Sequence, residues 1–162
     1  MSNTATVSYQ WAVRGKQPKV SCKQRKRERQ TVFGTVNPQT GQIVISFENR
    51  GNAKTFKKHL KKVVKSFKDK KIILILDNVK YHHANRLKPF INQHANNLEL
   101  MFLPPYCPDL NPIERVWWFM RKKITHNRYL ESLDERKAKF WIMFSKFIYP
   151  NDQLKKLCVL NN

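Results

Sequence analysis

The sequence predicts an α/β fold, a single domain over residues 1–162 built on a mixed sheet with helices on its faces. Three observations predict it. Two β-branched segments, Thr31–Val36 and Gln42–Phe47, flank a turn-rich loop; two further apolar runs lie at 72–76 and 98–103; and segments with helical periodicity fill the intervals. Strands that alternate with helices pair in parallel, whereas strands joined by a short loop pair antiparallel. A chain of 162 residues buries one sizeable core and is short for two.

The elements follow in order. Asn37-Pro38-Gln39-Thr40-Gly41 supplies the turn residues of a hairpin between the first two strands. From Asn52 to about Lys70 the period changes: Phe56, Leu60, Val63, Val64 and Phe67 fall on one helical face and lysines occupy the other, with Asn52 as candidate N-cap. Ile72–Leu76 is continuously apolar, which reads as a strand buried on both sides, and it stops at Asp77-Asn78. A helix over Ala84–His94 and a strand over Leu98–Leu103 come next. The proline-rich segment 104–112 excludes helix and central strand, because proline lacks a donor and restricts the residue before it. Asn111 then caps, and Pro112 opens, a helix to about Thr125 that places Ile113, Val116, Trp117, Met120 and Ile124 on one side. A last helix, about Leu133 to Phe147, carries Phe140, Trp141, Phe144 and Phe147.

Charge supplies the first functional clue. Lys and Arg number 32 against 11 Asp and Glu, a net charge of +21. A surplus of that size calls for a polyanion, and nucleic acid is the commonest; a merely solvated basic surface is the alternative. The densest block runs from Arg14 to Arg29 and makes Lys23, Arg25, Lys26, Arg27 and Arg29 candidate DNA contacts, with a solvated loop as the competing reading. No basic amphipathic stretch carries the Trp and Leu face of a membrane-surface helix, and no apolar run approaches a membrane span, so no membrane partner is expected. The first residues do not read as a signal peptide, and Cys22, Cys107 and Cys158 fit neither a disulfide framework nor paired zinc ligands; a reducing cytoplasm is the expectation.

Two acids carry the candidate chemistry. Asp77 closes a strand, where α/β folds place ligands, although a loop-capping aspartate sits there equally well. Glu114 lies in the first turn of the proline-led helix, where the helix dipole alone accounts for a carboxylate by roughly 0.3–1 kcal/mol. Taken together they can meet over one sheet edge. Clustered hard oxygens suit Mg²⁺ or Mn²⁺, and a pair of such ions serves phosphodiester cleavage.

The segments Ile75-Leu76-Asp77-Asn78-Val79-Lys80-Tyr81-His82-His83-Ala84 and Leu103-Pro104-Pro105-Tyr106-Cys107-Pro108-Asp109-Leu110-Asn111-Pro112-Ile113-Glu114-Arg115-Val116-Trp117 resemble the two strongest signatures of mariner-superfamily DDE transposases, in their bacterial insertion-sequence branch. The resemblance continues through Lys122-Lys123-Ile124-Thr125-His126-Asn127-Arg128-Tyr129 and covers nearly the whole chain. It implies a ribonuclease-H-like catalytic domain, Asp77 and Glu114 as the second and third metal-binding catalytic acids, and Mg²⁺ (or Mn²⁺) as the metal. It further implies hydrolysis at transposon ends followed by strand transfer into target DNA, dimeric action, and a nucleoid-associated location in a bacterium. Asn78, His82, His83, Arg115, Lys122 and Lys123 join the basic block as candidate DNA contacts. For Asn78 a plain loop asparagine is the simpler reading, and Asp109 satisfies backbone amides in the proline turn more readily than it binds metal.

The match departs at the start. Trp11-Ala12-Val13-Arg14-Gly15 fits the family's Trp-x-x-x-Gly segment, yet none of Met1–Arg27 is Asp or Glu. The family's first strand, its acid and its helix-turn-helix module would all fall upstream of Met1. The expectation is a truncated first strand and little strand transfer from this chain alone, with a separate polypeptide as one source of the missing region. Missing that strand, the sheet would expose an unpaired edge, to which Ser8–Trp11 could contribute a short strand. A DNA-binding protein without catalysis, derived from a transposase, is the competing function.

Overall fold

A computed structural model describes residues 9, 11–16, 19, 29–105, 107–128, 130 and 132–159. The candidate contacts Lys23, Arg25, Lys26 and Arg27, and Cys22, lie outside them; Arg29 lies inside and is exposed. Of the segment 8–11, Tyr9 and Trp11 are described, fully exposed and in no strand.

β1 (Thr31–Val36) and β2 (Ile43–Glu48) form the expected antiparallel hairpin, in register from Thr31 opposite Glu48 to Val36 opposite Ile43. The loop closes through Gly41, whose φ of 73° favours a residue without Cβ. α1 (Ala53–Ser66) starts at a reciprocal cap: Asn52 accepts from the Lys54 and Thr55 amides, and the Thr55 hydroxyl accepts from the Asn52 amide. β3 (Ile72–Leu76) and β4 (Leu98–Phe102) pair in parallel, Ile72 opposite Leu98 and Leu76 opposite Phe102. The expected helix over Ala84–His94 is present as a 3₁₀ turn, Asn85–Leu87, and a short α2 (Lys88–Gln93); a separate 3₁₀ turn, Lys80–His83, precedes it. Pro89 explains the late start, since proline suits the first turn of a helix and not its interior. α3 (Pro112–Ile124) begins as expected at Asn111, and α4 (Leu133–Ser145) at Ser132. α5 (Asp152–Leu157) has no counterpart in the sequence reading. Asn151 caps it and also donates to the Gly41 carbonyl, so the chain's end is tied to the hairpin loop.

The hairpin lies between two layers. Phe33 packs against Phe56 and His59 of α1, and Val44 packs with Val63 and Phe67. On the opposite face Ile43 and Ile45 join Ile113, Val116 and Met120 of α3, Phe140 and Phe144 of α4, and Leu154 of α5. Gly34 is the point of closest approach: a Cβ there would sit 2.5 Å from the Trp117 ring.

The parallel pair is covered differently. Leu74, Leu76 and Leu98 share the layer under α1 with Phe33, Phe56, Leu60, Leu87 and Phe90. Ile73, Ile75 and Met101 point the other way and are 54%, 46% and 49% exposed. The expectation of a strand buried on both sides is therefore corrected, because α3, α4 and α5 spend their apolar faces on the hairpin. Among the described residues the ladders join β1 only to β2 and β3 only to β4, so the mixed α/β arrangement consists of two two-stranded pieces held together by α1.

Candidate functional site

Asp77 lies at the carboxyl end of β3, and Glu114 lies beyond β4, across the proline segment, in the first turn of α3. Asp77 follows Leu76 directly, and the Leu103 amide donates to the Leu76 carbonyl at 2.8 Å, so the chain leaving β4 starts beside it. The proline segment then leads to α3, where Glu114 sits exposed in the first turn with its amide donating to the Asn111 carbonyl.

Asp77 is held from behind. The turn Lys80–His83 folds His82 back so that Nδ1 lies 3.0 Å from the Asp77 carbonyl oxygen and 3.2 Å from Oδ1. Both neighbours are acceptors, so Nδ1 carries a proton and donates. The ring is 6% exposed, with Phe56 4.2 Å away and Tyr81 4.6 Å away, centroid to centroid. Burial pushes the His82 imidazole below its ordinary value, opposed by the Asp77 carbonyl and carboxylate, with His83 adding to the downward push. Burial also raises the Tyr81 phenol, helped by the Asp77 charge. The Asp77 side chain itself is 60% exposed, so one end of the carboxylate is anchored while the rest faces solvent.

The remaining candidates separate. His82, expected at DNA, is buried against protein and fastens Asp77 instead. His83 is exposed, stacks on Phe102 and donates from Nε2 to Asn78 Oδ1, so those two side chains brace each other at the rim. Arg115 bonds the Val159 carbonyl through its guanidinium, which engages it within the chain and not with open solvent alone. Lys122 and Lys123 are exposed, with Lys122 Nζ 5.0 Å above the Trp118 ring. The role of His82 was legible only as an adjacent His pair after an acid; that a 3₁₀ turn returns the first of the two to its strand end needed the fold.

As metal donors, the exposed oxygens of Asp77 and Glu114 are the hard, anionic kind that Mg²⁺ and Mn²⁺ prefer. Among the described residues, however, no three His, Cys, Asp or Glu side chains converge to hold an ion. The described residues thus offer two candidate donors of the right chemistry and no converged ion site. None of the described helices is long and apolar enough to cross a membrane.

Comparison with solved structures defines the class. The Mos1 strand transfer complex matches with a TM-score of 0.66 at 15% identity, covering 96% of this chain and 47% of that one. The Mos1 transposase paired-end complex with left transposon end gives 0.67 at 15%, covering 96% and 48%. The fold is thus that of the ribonuclease-H-like catalytic domain of a transposase. The family model described as DDE superfamily endonuclease matches residues 1–137, and the chain belongs to that family, as a DDE transposase catalytic domain of the mariner and IS630 type. An uncharacterized protein, y4pE/y4sA, of Sinorhizobium fredii is 34% identical over 108 residues, 64% of this chain and 74% of that protein. The insertion element IS630 uncharacterized 39 kDa protein of Shigella sonnei is 24% identical over 128 residues, 78% of this chain. This chain spans only 37% of that relative and about half of the solved transposase chains. Membership of this family implies divalent-metal chemistry.

Proposed function

We propose that the chain carries part of the metal-dependent machinery that cuts and joins DNA in transposition, with Asp77 and Glu114 as its own metal-holding acids. The observation that carries this reading is the Asp77 clamp: a carboxylate at the end of β3, fastened through His82 and otherwise open to solvent. Preorganisation of that kind suits a ligand that must keep its geometry while phosphates come and go. Mg²⁺ or Mn²⁺, when bound, would activate the attacking oxygen and stabilise the leaving one. In the first step water attacks a phosphodiester at a transposon end and the P–O3′ bond breaks, freeing a 3′-hydroxyl. In the second that hydroxyl attacks a target phosphodiester and displaces its 3′-oxygen. His82 acts here as a positioning residue, since its proton points at Asp77.

The proposal includes incompleteness. A site of two acids is one short, and β1 and β3 each have a single bonded neighbour among the described residues. A strand added at either free edge, from the same polypeptide or another, is the natural carrier of a further carboxylate. The partners proposed are therefore DNA, both transposon ends and target, a segment completing the sheet, and a second copy of the whole assembly.

The test is Mg²⁺- or Mn²⁺-dependent nicking of supercoiled plasmid by this chain, by Glu114→Ala, and by a version extended upstream with the family's first strand. Nicking by the extended protein alone, abolished by Glu114→Ala in that background, supports the proposal. Nicking by the chain as it stands, lost in Glu114→Ala, refutes incompleteness. Retention of nicking in Glu114→Ala removes that acid from the machinery. The second reading, DNA binding without catalysis, draws on there being no three-acid cluster among the described residues; it predicts that no version nicks while all bind.

A further inference from the structure

The lysines of α1 take no part in the site described above, and their arrangement is distinctive. The helix contains six lysines and no acidic residue. Lys58 pairs with Glu48 at 3.6 Å; among the described residues no carboxylate pairs with Lys54, Lys57, Lys61, Lys62 or Lys65. Along the crevice between α1 and α2 runs an open groove of about 400 Å³, lined by Lys57, Lys61, Lys65, Lys68, Phe90 and His94 among others. No Asp or Glu lines it.

We propose that this α1–α2 groove is a second DNA-binding surface, seating the phosphate backbone of duplex DNA beside the strand-end site. The inference rests on the reading that the protein handles DNA and adds where the duplex lies. Spacing supports it. Lys57, Lys61 and Lys65 recur every four residues, so their stems leave the helix about 6 Å apart along its axis. From Lys57 to Lys65 the row covers about 12 Å, the rise of roughly three to four phosphates of one strand at 3.4 Å each.

The groove's lining selects phosphate over bases. Phe90 is 4% exposed and holds Lys57 Nζ at 5.8 Å from its centroid, while His94 packs on it at 4.5 Å. Phe90, buried as it is, supports the ammonium and offers no open face for stacking, which a site built for single strands would need. Direction supports it too. Phe56, near the start of α1, touches His82 behind Asp77, whereas Phe67, just beyond its end, packs with Ile72 at the start of β3. The lysine row thus leads away from the site end of β3 to the opposite end, which lets one duplex reach the acids and continue along the helix.

The test uses the full chain. Affinity for a blunt 30-base-pair duplex is measured by fluorescence anisotropy across a salt series. The wild type is compared with Lys57→Gln/Lys61→Gln/Lys65→Gln and with Lys137→Gln/Lys146→Gln/Lys156→Gln, which removes equal charge from exposed positions on and around α4 and α5. The groove variant is expected to lose at least about tenfold in affinity at low salt and to shrink the salt slope by about 2–3, with the second variant changing little. Circular dichroism melting at the wild-type temperature excludes misfolding, and Lys→Arg at the three groove positions should restore binding. Equal losses in the two variants would mean diffuse charge attraction and overturn the proposal, as would tighter binding of the single strand than of the duplex. Binding that is unchanged in the groove variant overturns this surface and leaves the DNA-handling reading intact, whereas a wild type that binds no DNA sinks that reading itself.

Discussion

The two strand pairs of this molecule have similar compositions and different surroundings. Val44, Ile45 and their neighbours in β2 are buried on both faces, under α1 on one side and under α3, α4 and α5 on the other. Ile73 and Ile75 of β3 are as apolar and as β-branched, yet stand exposed on the face away from α1. An apolar run therefore reports that a strand can be buried on two sides, while helix placement decides whether it is. The half-covered pair is also the one that ends in Asp77, so that acid sits on the less enclosed half, whereas Glu114 opens the helix that packs on the hairpin.

The largest test of that contrast is in the anchor. Phe144 is 1% exposed beneath the hairpin, and Phe144→Ala should cost about 3–5 kcal/mol in urea unfolding. A loss below about 1 kcal/mol would mean that the helical layer contributes little to the hairpin.

Acid should loosen the opposite layer. His59 of α1 is 2% exposed, with Nδ1 3.0 Å from the Ser46 hydroxyl and Nε2 3.0 Å from the Thr35 hydroxyl, one nitrogen donating and the other accepting. Burial, with Lys62 and His82 adding to it, lowers its pKa from 6.5 to about 4. The unfolded imidazole protonates first, so the unfolded state binds more protons below 6.5 and stability falls with pH down to about 4. The loss is on the order of 3 kcal/mol, levelling off beyond, and the lowered His82 acts in the same direction. Unfolding measured from pH 7 to 4 should show this slope, and His59→Gln should flatten it.

Gly34 tests the hairpin's other face. A Cβ at 2.5 Å from Trp117 must displace the ring, so Gly34→Ala should destabilise by about 1–3 kcal/mol by thermal melting, despite the better strand propensity of alanine. The smallest effect is expected on the open sheet. Ile75→Thr, at a side chain 46% exposed, should stay within about 0.5 kcal/mol of wild type. A loss above 2 kcal/mol would show that another part of the assembly covers that face in solution.

Much of the fold was legible because its signals are local. The hairpin loop, the Asn52 and Asn111 caps and the Pro112 start depend on residues within a few positions of one another. The stretch around Pro89 was read as one helix and is one 3₁₀ turn followed by a short α-helix, since period alone does not register how proline delays helix entry. α5 escaped notice because its stability comes from a cap that also bonds Gly41 and from Leu154 packing into a distant core. The candidate acids were legible as strand-end and helix-start positions; the pairing of His82 with Asp77, and the engagement of Arg115 with Val159, were not.

By itself the sequence determined the order of strands and helices as far as α4, the family through two ordered motifs, and a net charge of +21. Tertiary structure alone decided that α1 bridges two strand pairs, that one pair is left half-covered, that His82 turns inward, and that the α1 lysines line a groove with α2. The physical reason is range. Capping, periodicity and charge act over a few residues or add up irrespective of position, whereas burial and donor–acceptor pairing depend on which distant surfaces compete for the same face.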